Sequence, residues 1–180
     1  KINTMKKKAK KLRGELLKKY NFIISLYDTT LAKDLIVSES NNIILIEKIL
    51  TSMTKLNVCL LLKSKKNPEL YSKILDKYTN IHFSWGHGSL TEAFAADVTV
   101  SYQYNTLVTI ASSWGCNVVF KRTFDVYNEE HDLFTYSTNE ALIDRIIFIL
   151  KNTNIEENKC TDKLKMIDYF RDGNSQNRMF

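Results

Sequence analysis

One proline and five glycines in 180 residues leave no internal stretch loose enough to serve as an interdomain linker, so a single well-buried domain is expected. The three cysteines, Cys59, Cys116 and Cys160, are odd in number and far apart, and two of them sit in or beside apolar runs where a small thiol packs well. They supply neither a disulfide framework nor a metal site. No run approaches the roughly 20 apolar residues of a membrane span, and the basic N-terminus lacks the apolar stretch of a signal peptide, so a cytoplasmic location is expected. There is no Gly-x-Gly-x-x-Gly turn after the first strand and no Walker Gly-Lys-Ser/Thr, which disfavours a conventional dinucleotide dehydrogenase and a P-loop enzyme. A Gly-x-Ser-x-Gly nucleophile elbow is missing too. His82 lies in a strand pattern and His131 in the acidic segment NEEHD; neither has metal-ligand spacing to a second His or Cys, so no metal is expected.

What is present is an ordinary globular balance, 44% hydrophobic and 26% charged, which excludes disordered and fibrous classes. The net charge of +6 is unevenly spread. Lys1 to Lys19 hold nine basic residues and one acid, a balance of +8, so the other 161 residues sum to −2. Nucleic-acid binding leaves a basic patch over a folded face, whereas this charge lies on one terminal helical segment, and no nucleic-acid partner is expected. The plain reading of residues 1–20 is a solvated basic helix. Its functional rival is peripheral contact with an anionic membrane surface, at the inner face of the membrane, because lysines near acidic lipid each contribute about 1 kcal/mol.

Residues 21–152 alternate short β-rich runs with amphipathic helical stretches, the pattern of parallel strands joined by crossover helices. The first strand is NFIISLYD, Asn21 to Asp28. Ile43, Ile46, Ile49, Leu50 and Met53 follow at helical spacing, then the apolar run NVCLLLK, Asn57 to Lys63, suits a strand buried on both faces. Pro68 sits in the tolerated first turn of a helix carrying Tyr71, Ile74, Leu75 and Tyr78 on one face. IHFSW reads as the third strand, a short helix runs through Glu92 and Phe94, and DVTVSY, Asp97 to Tyr102, is the fourth strand. Asn105 to Trp114 reads as a helix stopped by Gly115, and NVVFKR as the fifth strand. A short sixth strand is expected near Leu133 to Tyr136. Thr138 is placed to cap a helix carrying Leu142, Ile146, Ile149 and Leu150. Residues 153–180 are expected to form a last helix, from about Thr161 to Phe170, and a polar tail. The expected class is a Rossmann-like three-layer α/β sandwich around a five- or six-stranded, mostly parallel sheet, with helices wound onto both faces.

In such a sheet, ligands bind outside the carboxyl ends of the strands, which points to four loops. Asp28 and Thr29 follow the first strand; a turn with a helix cap accounts for them equally well. Lys63 and Lys65 follow the second and could neutralise phosphate, though a solvated lysine cluster is equally ordinary. The loop Trp85-Gly86-His87-Gly88 joins glycines that let backbone approach a ligand to an aromatic and an imidazole that could face a base or sugar; a tight turn is the bland alternative. Gln103, Asn105 and Thr106 open the helix after the fourth strand, where free N–H groups and the positive dipole end favour phosphate, or Asn105 merely caps the helix. No self-sufficient catalytic constellation is visible.

The stretch from Asn21 to Leu150 resembles the C-terminal, donor-binding domain of GT-B glycosyltransferases, especially those of bacterial surface and capsular polysaccharide biosynthesis. LLLKSKKNPEL is similar to the basic loop after that domain's second strand. FAADVTVSYQYNTLVTIASSWGCNVVF is similar to its nucleotide-diphosphate loop, helix and following strand, with Asn105, Thr106 and Gly115 matching the polar turn and the glycine stop. The tail IDYFRDGNSQNRMF is similar to the segment on which several such proteins end. The resemblance implies a nucleotide-sugar donor as substrate and no further cofactor. It also implies an acceptor-binding N-terminal domain or partner chain that carries the catalytic base, so the chain is expected to be a fragment or a partner-dependent half. One position departs from the family. An acidic residue commonly stands midway along the helix after the fourth strand, often contacting the donor ribose, and the aligned residue here is Ile110. Either another group such as Glu92 takes that contact, or donor binding is altered. A nucleotide-sugar epimerase shares this architecture, and a non-catalytic binding or scaffold domain is the alternative of a different class.

Overall fold

The computed structural model describes residues 2–28, 39–64, 68–83, 88–102, 106–121 and 135–152. Strands β1 (Phe22–Asp28), β2 (Val58–Ser64), β3 (Ile81–Phe83), β4 (Val98–Tyr102), β5 (Val118–Lys121) and β6 (Thr135–Tyr136) form one sheet in the order β3-β2-β1-β4-β5-β6, with every neighbouring pair parallel. The helices are α1 (Ile2–Leu16), α2 (Glu39–Ser52), α3 (Ser72–Lys77), α4 (Ser89–Ala95), α5 (Thr106–Ser113) and α6 (Asn139–Lys151). This is the Rossmann-like α/β arrangement expected from the sequence, with six strands.

Period-two alternation along the strands sorts side chains between the two faces. Ile24, Leu26, Leu60, Leu62, Val98, Val100 and Val119 point to one face, where Leu45, Ile46, Ile49 and Leu50 of α2, Ile74 of α3 and Leu142, Ile146 and Leu150 of α6 complete a large apolar core. Truncating one of these fully buried Ile or Leu side chains to Ala would cost roughly 2–5 kcal/mol, a large share of the 5–15 kcal/mol typical of a domain. The opposite face is thinner and more polar. Tyr27, Val118 and Phe120 meet Ala93 of α4 and Val108 and Ala111 of α5, while Ile23, Cys59 and Leu61 are covered by Leu12 and Leu16 of α1. Ser25 and Thr99, both fully buried, bond each other across β1 and β4 at 2.9 Å, and Ser101, Thr91 and Ser112 are also buried.

Local signals explain the element ends. Thr138 caps α6, its hydroxyl accepting from the Ala141 N–H at 3.1 Å. Gly115, at φ +87°, takes the left-handed conformation that stops α5. Asn57, at φ 52°, turns the chain from a 3₁₀ segment (Thr54–Leu56) into β2, a conformation asparagine tolerates better than most residues. Its side-chain amide donates to the Lys19 carbonyl and its own carbonyl accepts from Asn21 N–H, both at 2.9 Å, which aligns the starts of β1 and β2. The helix expected at Pro68 opens as a 3₁₀ turn (Pro68–Tyr71) before α3. Ser84 and Trp85 of the expected third strand, His131, Cys160 and everything after Asn152 lie outside the described residues.

The N-terminal helix is part of this body. Arg13 donates to Asp97 Oδ1 at 2.6 Å and to the Ala95 carbonyl at 2.8 Å, while Asp97 Oδ2 accepts from Ile23 N–H at 2.7 Å. One carboxylate thus joins α1 to the starts of β1 and β4.

Candidate functional site

Chain order reverses direction between β1 and β4, which makes their carboxyl ends the topological switch point where open parallel sheets hold ligands. β1 ends on Asp28 and β4 on Tyr102, and the pairing of Tyr27 with Ser101 sets these two residues at adjacent positions on the rim. Both are buried.

Asp28 is gripped from three sides. Its Oδ1 accepts from the Asn42 amide of α2 at 2.8 Å; its Oδ2 accepts from the Ser64 hydroxyl of β2 at 2.8 Å and from the Tyr71 hydroxyl of the 3₁₀ turn. A buried carboxylate is tolerated only with such donors, since an uncompensated charge there would be strongly destabilising. Burial first, then Asp28, through its hydrogen bond to Tyr71 and its charge near Tyr102, push both hydroxyls above the ordinary tyrosine range, so both keep their protons. The Asn42 carbonyl oxygen is buried and has no hydrogen-bond partner among the described residues.

The other face of the same rim carries a second buried carboxylate. Lys63, one residue before Ser64 on β2, points to the opposite side, and its ammonium lies 3.6 Å from Glu92 Oε1 of α4. Glu92 is wholly buried, and its carboxyl is pushed up to about 7 by burial, against the opposing pull of Lys63. Near neutrality Glu92 therefore lies within its titration range, and protonating it removes the negative charge that faces the Lys63 ammonium, which is 23% exposed. Burial first, then the nearby Glu92, also raises Tyr27 above the usual tyrosine range.

The residues singled out from the sequence distribute as follows. Asp28 stands at the switch point and is engaged internally. Lys63 lies at the rim, paired with Glu92. Gly88 precedes α4 in an extended conformation, φ −68° and ψ 141°; a Cβ there would meet Thr91 Oγ1 at an ordinary 3.9 Å, so the fold itself does not demand glycine. Thr106 is the first residue of α5, an eight-residue helix that begins four positions after β4 and whose first-turn N–H groups have no partner within the helix itself. Ile110 lies on α5 with 37% exposure. Thr29, Lys65, Trp85, Gly86, His87, Gln103 and Asn105 lie outside the described residues. No local pattern in the sequence marks the partners of Asp28, although strand alternation already assigns Lys63 and Ser64 to opposite faces.

No protein-family model and no curated protein matches the sequence. A solved structure of the wall teichoic acid polymerase TagF with CDPG does match, at a TM-score of 0.57 and 11% identity over 88% of this chain. The fold is shared. This chain spans 40% of the length of that polymerase, and at such identity the likeness carries the arrangement of strands and helices alone.

Proposed function

We propose that this chain is the donor-binding half of a GT-B glycosyltransferase that moves a sugar from a nucleotide-sugar donor to a surface-polysaccharide acceptor. The observation that carries the reading is the switch point: β1 and β4 end side by side on Asp28 and Tyr102, with the N-terminus of α5 following β4. Support also comes from the fold shared with a polymerase solved with CDPG. Gln103, Asn105 and Thr106, with the α5 dipole, would hold the diphosphate. Lys63 and Lys65 would balance charge developing on the leaving group. The loop from Trp85 to Gly88 would face base or ribose. Asp28, held by three donors, sets the positions of Ser64 and Tyr71 around that rim and does not itself reach for substrate. The catalytic base would come from an acceptor domain or partner chain.

A non-catalytic binding or scaffold domain is the second reading, favoured by the internal engagement of both Asp28 and Lys63. Calorimetric titration of the full chain with CDP, UDP, GDP and CMP separates the two. The donor reading expects preference for one base and about tenfold weaker binding in Thr106→Ala and in Lys63→Ala. Silence toward all four nucleotides, in a chain whose melting transition shows it folded, would favour the scaffold.

A further inference from the structure

The lysines of α1 take no part in the rim described above. Lys7, Lys8, Lys10, Lys11, Lys18 and Lys19 are exposed on or just after this helix, and Glu15 is the sole acid among the first 20 residues. Arg13, the sole arginine there, is committed to Asp97 and the Ala95 carbonyl. The apolar stripe of the helix is also committed: Ala9 is buried, and Leu12 and Leu16 pack on Ile23, Cys59 and Leu61. The helix therefore presents a fixed row of charge about 22 Å long, with no free apolar face to insert into another body.

A second feature borders the row. Lys6 lies 5.0 Å from the ring of Trp114 and 5.6 Å from that of Phe94, in an open groove of about 520 Å³ at the ends of α4 and α5. Trp114 is 45% exposed, and Leu17, at the other end of the helix, is 39% exposed. A tryptophan with an apolar body and a polar edge, set beside lysines, suits the headgroup region of a bilayer. As a pocket for a small anion the groove is poor, because Arg13 is already paired with Asp97 and Lys6 sits over the rings. Lysine point charges in a line suit diffuse headgroup phosphate, whereas planar, bidentate reading of nucleic acid calls for free arginine.

We propose that the exposed face of α1, flanked by Trp114 and Leu17, is an electrostatic docking surface for an acidic lipid bilayer. The domain rests on the membrane without inserting a helix, and no helix among the described residues is long and apolar enough to cross one. The groove lies where α4 and α5 end, away from the carboxyl ends of the strands, so the rim stays open while the domain is docked. This inference does not depend on the donor-domain reading.

The test is co-sedimentation of the full chain with phosphatidylcholine vesicles, alone or with about one-third phosphatidylglycerol. Binding to the acidic vesicles alone, reversed by high salt, is expected. Lys7→Glu, Lys8→Glu and Lys11→Glu together should weaken it by about a hundredfold or more. The same charge change made elsewhere, as Lys55→Glu, Lys73→Glu and Lys151→Glu, should leave most of it. Thermal melting of both triple variants checks that they fold, since none of these exposed lysines faces the core. Equal binding to neutral vesicles, equal loss in the two triple variants, displacement by millimolar inorganic phosphate, or binding to duplex DNA in place of acidic vesicles would each overturn the proposal.

Discussion

Two buried carboxylates stand at the same end of the same sheet, one on each face, and they are solved differently. Asp28 receives hydrogen bonds from an amide and two hydroxyls contributed by α2, β2 and the turn before α3. Glu92 faces one lysine at 3.6 Å, and burial drives its carboxyl up to about 7. The difference follows from what each face offers. On the α2 side, three separate elements converge on the end of β1, so polar side chains from distant positions reach one point. On the α4 side the face also buries polar side chains, but Ser25 and Thr99 bond each other, and the charged group set against Glu92 is Lys63. Asp28 is therefore a structural tie, whereas Glu92 is a buried carboxyl whose hold on its proton is raised toward neutrality.

Removing the tie should give the largest effect. Asp28→Ala leaves the Asn42, Ser64 and Tyr71 donors buried without their acceptor, and a loss of about 3–5 kcal/mol in chemical denaturation is expected. A loss below about 1 kcal/mol would mean that water or another group replaces the carboxylate, and the contrast with Glu92 would fail.

Glu92→Gln should act in the opposite direction. A carboxyl whose folded-state pKa lies above its unfolded value adds no cost of ionisation below the unfolded pKa. Its cost accumulates as pH rises from about 4.5 to about 7 and then levels off. The unaltered protein should accordingly lose stability across that window relative to the glutamine variant, by on the order of 3 kcal/mol at pH 8. Melting temperatures of the two proteins measured from pH 4 to pH 8 should diverge with rising pH; parallel curves would show that Lys63 holds Glu92 ionised throughout.

Tyr71→Phe removes one of the three donors and keeps the ring against the core. About 1–2 kcal/mol should be lost, less than for Asp28→Ala, because the amide and the Ser64 hydroxyl remain. An effect as large as that of Asp28→Ala would make Tyr71 the dominant partner. The smallest effect belongs to a third carboxylate in open solvent. Glu140 meets Lys48 at 2.5 Å, yet both side chains are well exposed, so Lys48→Ala should leave the melting temperature unchanged within error.

Much of the fold was legible because each signal was local. The strand at Asn21 to Asp28, the cap at Thr138 and the stop at Gly115 rest on neighbouring residues, and these elements form where read. The second strand is instructive: its apolar run ends at Leu62, but the ladder continues to Ser64, which places that hydroxyl beside Asp28 instead of among loop lysines. The polar partners of the rim were harder to see. Asn42 and Tyr71 reach Asp28 from 14 and 43 positions away, and nothing in a helical or strand period marks such a meeting. In the sequence Glu92 stands out only as a substitute for the acidic residue absent at Ile110; the structure buries it against Lys63. The N-terminal helix read as solvated because its lysines mask the spacing of Met5, Ala9, Leu12 and Leu16, a stripe one residue wide.

The two contacts of the Asp97 carboxylate bear on where this protein can be cut. Because its carboxylate serves Arg13 and the first residues of β1 at once, α1 should exchange its amide hydrogens together with the central strands, as one cooperative unit, and not fray ahead of them. An expression product starting at Asn21 would strip that carboxylate of its guanidinium and bare Ile23, Cys59 and Leu61 to water. Such a product should aggregate on purification, whatever becomes of its ligand rim.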